Sequence, residues 1–124
     1  MSSPRLRTDF WIAALRRRVE SVGAFVSIAR RGADEAGAVF LVVDRRDGTF
    51  DVYGPAPQSV FSDRPTDRLF SLLEQGVSAD ATRSRMEQEI KFDPDLWQVD
   101  IEDRQGRAFV ELAFDNHNEQ FTSR

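Results

Sequence analysis

Cysteine is absent from the 124-residue chain, and histidine occurs once. Without cysteine the chain can form no disulfide, iron–sulfur cluster or thiolate zinc site, and it has no cysteine nucleophile. The single histidine, His117, lies in a polar stretch near the end of the sequence, which excludes multi-histidine metal sites and disfavours a serine–histidine–aspartate triad. We therefore expect no cofactor and a non-catalytic protein rather than an enzyme.

Long hydrophobic runs are also missing. No stretch approaches the roughly 18 apolar residues of a membrane-spanning helix, and the apolar run at residues 10–15 is too short for a secretion signal. We therefore expect a cytoplasmic protein without membrane contacts. The chain is 40% hydrophobic and 31% charged, and its length is typical of one domain. We predict a single domain over residues 1–124, ordered from about 8 to 114, with polar tails at both ends.

The chain is acidic overall, with 17 basic against 21 acidic residues, but basic charge is concentrated near its start. The net charge is −4, which argues against a protein built to coat nucleic acid. The first 31 residues nevertheless contain seven arginines against two acidic residues, and arginine forks bind phosphate with two parallel hydrogen bonds. The alternative is that these side chains cover the edge of the core and keep their charges in water. The candidate anion-binding residues are Arg16, Arg17, Arg30 and Arg31.

Two segments have the spacing of amphipathic helices. In the first, Thr8 is the predicted N-cap and Gly23 the stop, and the apolar positions repeat at the helical period. These positions are Trp11, Ile12, Leu15, Val19 and Val22. In the second, Ser78 is the predicted N-cap of a helix over residues 79–92 that ends before Asp93-Pro94.

The remaining apolar segments predict strands at residues 24–31, 38–43, 49–53, 97–103 and 108–114, while 68–73 is compatible with strand or helix. Asp47-Gly48 indicates a hairpin turn. A four-residue loop there pairs Val43 with Phe50 and avoids placing Asp44 opposite Asp51. The sequence predicts an α+β fold, in which a mostly antiparallel sheet of five to six strands, built from hairpins, is covered by an N-terminal helix and a second helix.

The last two predicted strands form a hairpin with one apolar face, on which Trp97 is a core anchor. On the other face Asp100 lies opposite Glu111, with Glu102 two residues along its strand. One interpretation is a set of solvated carboxylates neutralised by nearby arginines. The other is a site for Mg²⁺, Ca²⁺ or Mn²⁺, which prefer clustered carboxylate oxygens, formed by Asp100, Glu102 and Glu111.

The segment that follows the first hairpin is rich in proline. Proline fixes the backbone in advance and so lowers the entropy cost of docking a partner. Pro55, Pro57 and Gln58 are therefore a candidate partner-docking loop. The alternative is a rigid strand terminator, because proline cannot donate a hydrogen bond to a sheet.

Three strings resemble a known family: FWIAALRR at 10–17, the run from RRG at 30–32 to YGPAPQ at 53–58, and FDPDLW at 92–97 continuing to IEDRQGR at 101–107. Over most of residues 6–112 the chain is similar to an uncharacterised alphaproteobacterial family of short single-domain proteins, classed as a domain of unknown function. The resemblance implies a bacterial cytoplasmic origin and one domain, and it implies no activity, ligand or catalytic residue.

Three functions remain open. The first is a small cytoplasmic interaction module that docks an unidentified protein or associates with itself, favoured by exposed strand edges and by the lack of a nucleophile–base set. The second is a nucleic-acid or phosphometabolite binder that uses the N-terminal arginines. The third is a small divalent-ion-dependent enzyme that uses the carboxylates.

Overall fold

The computed structural model describes residues 6–57 and 68–113. Within them the chain forms an α+β fold in which a five-stranded, mostly antiparallel sheet is accompanied by two helices. The elements are α1 (Thr8–Ser21), β1 (Phe25–Arg30), β2 (Val39–Asp44), β3 (Phe50–Pro55), β4 (Phe70–Val77), α2 (Ala79–Phe92) and β5 (Trp97–Glu102). The predicted fold class is confirmed, and residues 68–73 contribute to a strand rather than a helix.

Helix α1 packs most of the predicted apolar stripe against the sheet, but Val22, its last predicted member, lies after the helix and is exposed. Ile12, Leu15 and Val19 are buried, and Gly23 leaves the helix with a φ of +85°, which glycine adopts without steric cost. The predicted cap is wrong: Arg7 occupies the N-cap position, and Thr8 is the first helical residue. Instead of capping, the buried Thr8 hydroxyl donates to the Gly37 carbonyl at 2.9 Å and ties the helix to the loop before β2.

Apolar residues lie on both faces of the central strands, as the sequence predicts for β2. Val39, Leu41 and Val43 belong to the core beneath α1, whereas Phe40 and Val42 join Met86 of α2 on the opposite face. Helix α2 begins as predicted, with the Ser78 hydroxyl accepting from the Ala81 amide at 3.0 Å. It packs over β3 and β4.

The second hairpin is a wrong prediction. The strand order is β1-β5-β2-β3-β4, so β5 lies between β1, its antiparallel neighbour, and β2, its parallel neighbour. Asp100 is paired with Ser27 and Val42, not with Glu111. After the turn at Gly106 the chain crosses to the far edge, where Leu112 makes an isolated parallel bridge with Phe70. Helix α2 supplies the long crossover that a parallel pairing requires.

The register of the β2–β3 hairpin differs by one residue from the prediction. Asp44 pairs with Phe50 and Val43 with Asp51, which leaves a five-residue loop at 45–49. The loop is longer because Arg46 (φ +67°) and Gly48 (φ +90°) both turn through the left-handed region. The Asp44 carboxylate accepts from the Arg46 amide at 2.8 Å and stabilises that turn. Strand β3 also runs on to Pro55 instead of ending before it.

Candidate binding surfaces

A cavity of about 300 Å³ opens between α1, the residues before β4 and the segment after Gly106. A smaller one of about 150 Å³ lies beside it, between the loop before β2 and the β3–β4 edge, and Arg68 lines both. We call the larger cavity the Arg68 cleft. It is lined by Trp11, Arg18, Arg68, Phe109, Val110 and Glu111.

Contacts with α1 and with Leu6, which precedes it, hold Arg68 in place. Its guanidinium donates to the Thr8 hydroxyl at 2.9 Å and to the Leu6 carbonyl at 3.1 Å, and it lies 5.7 Å from the centre of the Trp11 ring. Trp11 in turn stacks on the buried Phe70 ring, with 5.6 Å between ring centres. One wall of the Arg68 cleft is therefore an aromatic ring with a core residue behind it and a cation over it.

The opposite wall is a strained turn. Phe109 has a φ of +65°, which bulky side chains rarely adopt. Arg18 donates to the Phe109 carbonyl at 3.1 Å, and the Arg107 guanidinium lies 5.1 Å from the Phe109 ring centre. The Arg107 guanidinium donates hydrogen bonds to both carboxylate oxygens of Asp103, and these bonds lower the pKa of the Asp103 carboxyl. The turn is fixed from both sides.

Strand β1 forms one outer edge of the sheet. Its residues alternate: Val26 and Ile28 pack against the α1 core, whereas Phe25, Ser27 and Ala29 are exposed. The Phe25 side chain is 69% exposed, and a bulge interrupts the pairing with β5 near the end of the strand. The start of the other edge strand, β4, is covered by residues 111–113, which exchange backbone hydrogen bonds with Phe70.

Acidic side chains occupy the sheet face beside β1. The Asp100 carboxylate accepts from the side-chain amide of Gln98 at 2.9 Å. The Arg46 guanidinium lies 3.6 Å from the carboxylates of both Asp44 and Glu102. Burial raises the pKa of the Asp100 carboxyl, and the charges of Asp44 and Glu102 raise it further.

The predicted metal set is not assembled. Glu111 lines the Arg68 cleft, whereas Asp100 and Glu102 are on β5, because the hairpin that would join them does not form. Across residues 6–57 and 68–113, no group of three or more histidine, aspartate or glutamate side chains is arranged to hold a metal ion.

The predicted anion-binding arginines divide into two pairs with different surroundings. Arg16 and Arg17 are exposed on α1. Arg30 donates to the Pro94 carbonyl at 2.7 Å, and Arg31 donates to the Asp34 carboxylate at 2.9 Å while lying 4.9 Å from the Trp97 ring centre. Of the predicted docking loop, Pro55 and Pro57 are exposed, and Pro55 also lines the smaller cavity. Gln58 lies outside the described residues.

The Arg68 cleft is a cavity that the sequence analysis did not predict. Arg18, Arg68 and Phe109 come from three separate segments, and no motif links them. The one local signal was the arginine run that contains Arg18.

A membrane-spanning segment would need a long apolar helix, and neither helix of the described residues meets that requirement.

A family described as "Protein of unknown function (DUF1491)" matches residues 6–111. The chain is 36% identical to protein Atu0922 from A. tumefaciens, with a TM-score of 0.78 to its solution structure, covering 90% of this chain and 97% of that one. It is 38% identical to a DUF1491 family protein from Caulobacter crescentus with a known crystal structure (TM-score 0.72, 88% and 98% covered). No curated protein matches the chain.

Proposed function

The chain belongs to the DUF1491 family of proteins of unknown function, and from that premise we propose that it is a non-catalytic interaction module that pairs with a second copy of itself along β1. The observation that carries the proposal is the β1 edge itself, where the Phe25 side chain is 69% exposed beside a row of backbone groups that face outward. Such an edge is a template for pairing with another strand.

The side chains of β1 suit an antiparallel copy of the same strand. In a pairing centred on Ser27, the two side chains of each facing pair lie on the same face of the sheet. Phe25 then lies opposite Ala29 of the second copy, a large side chain against a small one, and Val26 lies opposite Ile28. β1 has no acidic residue and its one arginine is at its end, so no like charges meet across the pair.

The length of the β1 edge sets the expected affinity of the dimer. Two strands of six residues bury less surface than the roughly 1,200–2,000 Å² of a stable specific interface. We therefore expect a weak dimer that forms at protein concentrations of tens to hundreds of micromolar, on the order of −5 to −6 kcal/mol.

The proposed location is the cytoplasm. Fractionation of native cells with an antibody against the chain tests this part of the proposal.

The dimer is tested by sedimentation equilibrium from 10 µM to about 1 mM protein. Ser27→Lys places two positive charges directly across the two-fold axis and should abolish the dimer, and added salt should partly restore it. The matched control is Ser84→Lys on the exposed side of α2, which should dimerise like the wild type. A wild-type chain that stays monomeric throughout, or a Ser27→Lys variant that dimerises equally well, overturns the proposal.

A further inference from the structure

We propose that the Arg68 cleft binds a small aromatic molecule that carries one anionic group, a carboxylate or a phosphate. The inference is independent of the β1 dimer, because the cleft is built from α1, the start of β4 and the turn after β5 and includes no residue of β1.

The aromatic part of the ligand is indicated by the two rings in the walls. Trp11 and Phe109 both line the cleft and are half-buried. Because Arg68 and Arg107 lie over their ring faces, a ligand ring would contact them edge-to-face. Phe70 supports Trp11 at 5.6 Å between ring centres. The volume of about 300 Å³ is at the small end of the range for ligand pockets and suits one ring system with one substituent.

The anionic part is indicated by Arg18. Arg18 lines the cleft and is the cation that the anionic group would meet. An arginine carries five donor hydrogens, and the bond of Arg18 to the Phe109 carbonyl at 3.1 Å uses one of them. The guanidinium of Arg18 is exposed, and it is placed to donate to a carboxylate or phosphate.

The site is also preorganised. The left-handed backbone of Phe109 is held by Arg18 from one side and by the Asp103–Arg107 pair from the other. Strained backbone that its surroundings over-determine is concentrated at binding and catalytic sites. Because both walls are fixed before a ligand arrives, binding does not have to order them.

The test is a nuclear magnetic resonance titration that follows the two tryptophan indole N–H signals, assigned with Trp11→Phe. Benzoate and phenyl phosphate are the probes, and benzamide and inorganic phosphate supply the ring and the charge separately. We expect the Trp11 signal to move with benzoate or phenyl phosphate and much less with either control. The Trp97 indole, which donates to the Ala33 carbonyl at 2.7 Å in the core, should stay in place. The stronger probe identifies the anionic group.

A matched pair of variants tests the role of charge. Arg18→Gln keeps a hydrogen-bond donor but removes the positive charge, and it should weaken the better probe about tenfold. Arg17→Gln, one residue away on the same helix but outside the cleft, should leave binding unchanged. The proposal is overturned if neither probe at 10 mM moves the Trp11 signal, if benzamide moves it as far as benzoate, or if Arg18→Gln binds like Arg17→Gln.

Discussion

The carboxylate of Asp51 joins two turns of the sheet through Arg45 and Gly76. Arg45 Nε donates to one carboxylate oxygen of Asp51 at 2.9 Å, and the Gly76 amide donates to the other at 2.9 Å. Asp51 is 1% exposed and Arg45 is partly exposed, so the charge is compensated by direct bonds rather than by water. Gly76 has a φ of +64° near the end of β4, where the pairing with β3 is irregular. One buried side chain therefore holds the β2–β3 loop and the β4 irregularity together.

Asp51→Ala should lower the free energy of unfolding by about 2–4 kcal/mol, because it leaves the Arg45 charge and the Gly76 amide without their acceptor. Urea denaturation followed by circular dichroism measures the change. The control is Asp80→Ala, whose partner Arg83 is a neighbour on the exposed side of α2, and which should cost less than about 1 kcal/mol. Equal losses of unfolding free energy in the two variants would show that the contacts of Asp51 stabilise the fold no more than an exposed ion pair does.

Trp97→Ala should cost about 3–5 kcal/mol, because the side chain is only 2% exposed and its indole N–H donates to the Ala33 carbonyl. The same urea measurement applies. Phe92→Ala is the matched control: this ring is 89% exposed at the end of α2, and its loss should change stability by less than about 0.5 kcal/mol. A cost below about 1 kcal/mol for Trp97 would contradict its role as a core anchor.

Local signals were sufficient for the helices and for the burial of the strands. The Ser78 cap, the stop at Gly23 and the two-sided apolar pattern of β2 each depend on residues close in the chain, and the structure has all three. The position of β5 could not be found in the same way. Its buried and half-buried residues alternate, which is typical of a hairpin strand, although it is an inner strand with a parallel neighbour. The half-buried polar residues of β5 lie on the sheet face that carries α2, and α2 packs over β3 and β4.

The same distinction, between features set by nearby residues and features set by distant contacts, applies to the candidate sites. The carboxylates Asp100 and Glu102 share one face of β5, as their spacing predicts, but the third member depended on a pairing that does not form. The Arg68 cleft depends wholly on contacts distant in sequence, since 91 positions separate Arg18 from Phe109, to which it donates. Such contacts are decided by strand order, which local sequence patterns do not reveal.

Binding to heparin should depend on Arg16 and Arg17, which are exposed on α1, more than on Arg30 and Arg31, because the guanidinium groups of the second pair already donate to a carbonyl and a carboxylate. Replacing Arg16 and Arg17 together with glutamate should shift elution from a heparin column to clearly lower salt. The control with the same change of net charge is the double replacement of Arg83 and Lys91 on α2. Identical elution of the two double variants would remove the case for an anion-binding surface on α1.

Asp100→Asn should stabilise the protein at pH 7, because burial and the neighbouring Asp44 and Glu102 raise the pKa of the Asp100 carboxyl in the folded state. A raised pKa means that the charged form is less stable in the folded chain than in the unfolded one. This destabilisation is fully present above the folded pKa. It is relieved as the pH falls through the folded pKa towards the ordinary value of about 3.9. The asparagine keeps an acceptor for Gln98 and removes the charge.

We therefore expect the thermal midpoint of Asp100→Asn to exceed that of the wild type by a few degrees at pH 7. The difference should shrink as the pH is lowered to about 4. Asp103→Asn is the control for which the opposite change in stability is expected, because hydrogen bonds from Arg107 lower the pKa of the Asp103 carboxyl. That variant should be less stable than the wild type at pH 7, by about 1–2 kcal/mol. Its deficit should disappear only below the ordinary pKa, as the pH falls through the lowered folded value. If Asp100→Asn is destabilised at pH 7, or if its advantage does not change with pH, ionisation of the Asp100 carboxyl does not destabilise the folded protein.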